Sequence, residues 1–116
     1  MPIIEVTVGP QVSESQIGEL AATLPHAVSV AVACPEEPYD GNLQDGDVVL
    51  RFRALGPYDS SGLDVCIEIR SKWFASRAEN RQTRCDAVLS AVTDAIGPLS
   101  AGVYLSLPVA AWSQKE

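Results

Sequence analysis

Twice along this chain a short alternating apolar run is followed by a capped amphipathic stretch and then by a second alternating run. That repeated pattern narrows the possible folds more than any other feature. Ile3, Ile4, Val6 and Val8 form the first run, which Gly9-Pro10 ends. Pro2 stands at its first residue, where a strand tolerates proline. Ser13 with Gln16 three residues on is a capping-box signature. Ile17, Leu20, Ala21 and Leu24 then recur at helical spacing, and Pro25 predicts an end or a kink. Between 26 and 33 the residues Val28, Val30 and Val32 alternate as in a strand, and periodicity alone does not decide that stretch. Residues 35–46, PEEPYDGNLQDG, have loop chemistry throughout. Asp47–Leu55 predicts a strand with Arg51 and Arg53 on one face and Leu50 and Phe52 on the other.

The second half repeats the sequence of signals. Leu63, Val65, Ile67 and Ile69 alternate with Asp64, Cys66, Glu68 and Arg70, the mark of a half-buried strand. Lys72–Ala75 predicts a loop with two exposed aromatics, Trp73 and Phe74. Ser76 and Glu79 predict a second capping box. Cys85, Val88, Leu89, Val92 and Ile96 make one apolar stripe along the following helix, and Gly97-Pro98 stops it. Val103, Leu105 and Leu107 predict a last strand, followed by a short tail, 108–116, that contains Trp112. The order is β-α-β-β-α-β in an α+β (α/β) chain of 116 residues, one domain spanning 1–116. Unit one covers about 2–55 and unit two about 63–107. Two architectures share this order: a ferredoxin-like split βαβ, common among ligand-binding modules, and two βαβ units side by side, in which each helix joins neighbouring parallel strands. Element order does not choose between them.

Charge limits the function classes. The formal net charge is −7, which argues against a nucleic-acid partner, because phosphate contacts need a surplus of Lys and Arg. An anionic membrane surface is disfavoured for the same reason. The uncharged run Leu20–Cys34, broken by Pro25 and His26, is too short to span a bilayer and no secretory leader is read at the start, so the expected location is cytoplasmic. Residues 1–50 hold no Lys or Arg, whereas Arg51, Arg53, Arg70, Lys72, Arg77, Arg81 and Arg84 fall between 51 and 84. Arg is the planar, bidentate partner of carboxylates. These side chains either pair with the acids of the first half or, two or three together, line a pocket for a small anion. Cys34, Cys66 and Cys85 have no paired spacing and read as reduced thiols. With His26 the only histidine, no metal-ligand pattern is present, and neither a metal nor another cofactor is expected. No glycine-rich phosphate loop and no Ser-His-Asp set occur.

The opening MPIIEVTV, a Pro directly after the initiator Met and leading straight into a strand, resembles the tautomerase superfamily. The stretch LDVCIEIRSKWFASRAENRQTRCDAVLSAV resembles the second unit of 5-carboxymethyl-2-hydroxymuconate isomerase-like members, and VVLRFRAL resembles their strand with two arginines two apart. The resemblance implies two βαβ units side by side, a four-stranded mixed sheet with two helices on one face, and assembly as a homotrimer in which Trp112 packs against a neighbour. It also implies a long first helix through 26–33, kinked at Pro25. The implied activity is an isomerase: a keto–enol 1,3-proton shift on a small unsaturated carboxylate, with no cofactor. Met1 would be removed and Pro2 would act as general base, its amine pKa lowered by burial and by nearby cations. Arg51 and Arg77 would contact the anion; Arg53 faces the same way as Arg51, so either could serve. Arg81 is expected on the helix surface. The alternatives are a trimer of the same fold without catalysis, and the ferredoxin-like module.

Overall fold

The computed structural model describes all residues from 1 to 116. Its elements are β1 (Ile3–Val8), α1 (Glu14–Val32), a 3-10 helix (Pro38–Asn42), β2 (Val49–Ala54), β3 (Val65–Arg70), α2 (Ala75–Glu79), α3 (Arg81–Ile96) and β4 (Ala101–Ser106). The strands form one sheet in the order β2-β1-β3-β4. β1 and β2 pair in parallel, β3 and β4 pair in parallel, and β1 and β3 meet antiparallel at the centre. Each helix therefore joins two neighbouring parallel strands. That order is the side-by-side arrangement of two βαβ units and excludes the ferredoxin-like alternative.

The alternation read from the sequence sets the two faces of the sheet. Ile4, Val6 and Val8 lie opposite Ile69, Ile67 and Val65 on the face beneath α1 and α3, and all six are buried. Leu20, Leu24, Val28 and Val32 of α1 meet Val88, Val92 and Ile96 of α3 over the same face to complete the core. The other face carries Glu5, Arg51, Arg53, Glu68, Arg70 and Tyr104 and has no layer above it in the single chain.

Local signals explain most boundaries. Ser13 Oγ accepts from the Gln16 backbone N–H, and the Gln16 side chain accepts from Ser13 N–H, so the first capping box is present on both sides. α1 then runs through Pro25 to Val32, so the alternating valines belong to a helix: Val28 and Val32 continue its buried face and Val30 points outward. Gly97 ends α3 at a positive φ of 58°, a conformation that suits glycine, and its N–H bonds to Thr93 O.

Two expectations are corrected. Ser76 does not cap α3: it lies inside the added short helix α2, and its hydroxyl donates to Glu36 at 2.7 Å. The cap position of α3 is Asn80, which makes no side-chain cap bond. The loop 35–46 also contains a 3-10 helix whose Asp40 and adjacent Leu43 are buried.

Candidate active site

Parallel pairing fixes the start of β1. Pro2 is buried, and its carbonyl accepts from Val49 N–H at 3.1 Å, which extends the β1–β2 ladder by one residue. Beside it opens a pocket of about 360 Å³ bordered by Met1, Ile3, Asp40, Arg70, Lys72 and the segment after β4. That volume lies within the range of about 300–1,000 Å³ usual for small-ligand sites.

Asp40 reaches this pocket because the 3-10 helix is pinned to α1. The Ser29 hydroxyl donates to Asp40 O at 2.7 Å and accepts from Leu43 N–H at 2.9 Å, while Leu43 fills the space below. The Asp40 side chain is then enclosed. One carboxylate oxygen accepts from Arg77 Nη2 at 2.7 Å, and the other faces the Met1 amine at 3.6 Å. With Met1 attached, the Pro2 nitrogen is an amide and carries no basic lone pair.

Arg77, expected to touch an anion directly, is fully enclosed at 0% exposure. Besides Asp40, its guanidinium donates to Val32 O and Lys72 O, both at 2.7 Å. The Phe74 ring lies 5.2 Å from its centre. Arg84 donates to Ala31 O and Ala33 O in the same way, at 2.9 and 2.7 Å. Together these two arginines satisfy three successive carbonyls at the C-terminal end of α1, which has no basic residue in its own last turn. The local structure thus spends the Arg77 charge on the fold, and Arg77 reaches the pocket only through Asp40.

Arg51 and Arg53 lie on the open sheet face. Arg51 stands opposite Glu5 with an ion pair of 3.6 Å, and Arg53 stands opposite Thr7 and pairs with Asp59 at 3.0 Å. At about 3.3 Å per residue these positions are roughly 10 and 16 Å along β1 from Pro2. A single chain therefore does not bring them to the pocket. Arg81 is exposed on α3, as expected.

The cations that do border the pocket are Arg70 and Lys72. Arg70 Nη2 donates to Glu5 at 2.8 Å, whereas Lys72 has no carboxylate partner and lies 5.4 Å over the Phe74 ring. The signal for both was in the sequence, as the end of an alternating strand next to two aromatics. Asp40 gave no comparable signal within an ordinary loop. Tyr39 also borders the pocket, and the Asp47 carboxylate beside it holds its phenol above its ordinary value. No group of three or more His, Cys, Asp or Glu is arranged to hold a metal ion.

No family model matches the sequence, and no curated protein matches it significantly. Solved structures do match. Malonate semialdehyde decarboxylase superposes with a TM-score of 0.65 at 16% identity, over 98% of this chain and 91% of that one. 5-Carboxymethyl-2-hydroxymuconate delta-isomerase gives 0.63 at 14% identity, over 100% and 87%. A fused 4-OT, itself a symmetric trimer, gives 0.56 at 16% identity, over 92% and 85%.

Proposed function

We propose that this chain, which has the tautomerase fold, is an isomerase that moves a proton between the enol and keto forms of a small unsaturated carboxylate. The observation that carries the reading is the placement of Pro2. It is buried at the start of β1, next to the pocket that Met1 and Asp40 border. Loss of Met1 would turn the Pro2 nitrogen into a secondary amine at that pocket. Its ring and its backbone pairing would fix the direction of its lone pair. As a base it would take a proton from the enol oxygen or α-carbon and return it further along the conjugated chain.

The charges around it have distinct parts in this reading. Lys72 and Arg70 hold the substrate carboxylate and the developing enolate charge. Asp40 borders the pocket, and Arg77 bonds to its carboxylate and fixes its place. Arg77 is therefore a positioning residue here. Arg51 and Arg53 enter as anion contacts across a subunit boundary: in a homotrimer, a neighbour's open sheet face would present them to this pocket.

The second reading is a trimer of the same fold without the base. It is favoured by one feature: Arg77 is committed to Asp40 and Arg70 to Glu5, so two of the cations near the pocket have partners within the fold. The rate of ketonisation of a carboxylated dienol separates the two. Protein beginning at Pro2 is expected to accelerate it, and Pro2→Ala to lose about 10²–10⁴-fold, the usual contribution of a positioned base. Equal rates in Pro2→Ala and the parent would exclude the base.

A further inference from the structure

Part of the pocket wall comes from the segment that follows β4. Pro108, Ala110, Ala111 and Trp112 all border it. The segment is tied at its base, where Ser71 N–H bonds to Ser106 O and Trp73 N–H to Pro108 O, at 3.1 and 2.9 Å. Beyond Pro108 none of the backbone hydrogen bonds outside the helices and strands involves residues 109–116. Its side-chain hydrogen bonds stay within the segment: Trp112 Nε1 donates to Gln114 and Gln114 Nε2 to Glu116, and Trp112 remains 51% exposed. An exposed indole beside a pocket is apolar surface that a ligand can cover.

The charges that border the pocket are unequally balanced. Arg70 is matched by Glu5, and the Met1 amine faces Asp40. Lys72 alone has no carboxylate within ion-pair distance, and Glu37 borders the pocket as a further acid. One uncompensated cation suits one carboxylate. A second carboxylate would find no second uncompensated cation and would instead meet Glu37 and Asp40, the acids that also border the pocket.

We infer that Trp112 and the alanines beside it are the specificity wall of this pocket, which selects a monoanion whose carboxylate meets Lys72 and whose apolar body covers the indole. The inference rests on the reading that this pocket is the substrate site, and names the class of substrate it admits. A dicarboxylate of similar length is disfavoured.

Calorimetric titration with two unreactive probes tests it without depending on catalysis. 3-Phenylpropanoate carries one carboxylate and a ring; glutarate carries two carboxylates. The full chain is expected to bind 3-phenylpropanoate at least about tenfold more tightly, a difference of about 1.4 kcal/mol. Trp112→Ala should remove most of that preference, and Lys72→Ala should weaken both ligands. Both side chains are exposed, so neither substitution disturbs the core. Equal or tighter binding of glutarate, a preference that survives Trp112→Ala, or no binding of either probe would overturn the inference. A Pro2→Ala variant that binds 3-phenylpropanoate normally yet ketonises a dienol at the parent rate would overturn the base and leave the wall standing.

Discussion

Arg77 carries the clearest physical consequence at the scale of a single residue. Its charge is enclosed against Asp40, and breaking such a pair leaves the partner charge buried and uncompensated. Arg77→Met is expected to destabilise the protein by about 3–5 kcal/mol in urea unfolding. The exposed Arg51→Ala should cost under about 1 kcal/mol. A loss at Arg77 no larger than that at Arg51 would mean that the enclosed pair does not form. The sequence shows that Arg77 is a cation but not where its partners are, because Asp40, Val32 and Lys72 lie 37, 45 and 5 residues away along the chain. A charge near a resemblance motif therefore reads equally well as a ligand contact and as a fastening of the fold. Asp40 was hidden for a related reason: its burial depends on Ser29 and Leu43, which give a loop no local pattern.

Glu36 supplies a pH dependence at the same scale. The Ser76 hydroxyl bonds to its carboxylate and holds its pKa below the ordinary carboxylate value. A depressed folded-state pKa contributes stability above the unfolded carboxylate value, and that contribution is lost as pH falls through the folded one. The stability difference between the parent and Ser76→Ala should thus be present near neutral pH and shrink on acidification. Urea midpoints at about pH 7 and about pH 3 measure it. A difference that grows on acidification would contradict the pairing.

At the scale of elements, the four strands and two long helices were legible because each is specified locally. Period-two alternation marks β1 and β3, and a capping box opens α1. Helical spacing, together with Gly97, delimits α3. Ser13→Ala removes one side of the capping box and is expected to cost about 1 kcal/mol, measured as a lower urea midpoint at unchanged slope. No change in midpoint would show that the end of α1 is held by packing alone. The stretch 26–33 was not legible, since Val28 and Val32 sit four apart while Val30 between them is exposed. Alternation and a helical stripe coincide there. The false capping box at Ser76 has a similar origin: the residue pattern was present, but Ser76 pairs with Glu36, 40 residues away along the chain. Strand order could not be read from either half, because it depends on how β1 and β3 meet across the molecule.

For the whole molecule, the open face of the sheet is the largest unanswered surface. It carries Glu5, Arg51, Arg53, Glu68, Arg70 and the 70%-exposed Tyr104, flanked by two unpaired edges at β2 and β4. A homotrimer would cover part of that surface and would bring Arg51 or Arg53 of one copy toward the pocket of another. Sedimentation equilibrium at micromolar concentration is expected to give three times the chain mass of 12.3 kDa. A stable monomer with full activity would remove Arg51 and Arg53 from the site. No helix is long and apolar enough to cross a membrane.

The central claim is that a free Pro2 amine moves the proton, and one measurement addresses it directly. Protein with Met1 retained and protein beginning at Pro2 are separated, verified by intact mass, and compared for ketonisation of the same carboxylated dienol. The account predicts activity confined to the form that begins at Pro2, with the Met1 form lower by about 10²–10⁴-fold. Equal rates in the two forms would contradict it, because a Pro2 amide has no basic lone pair with which to take the proton.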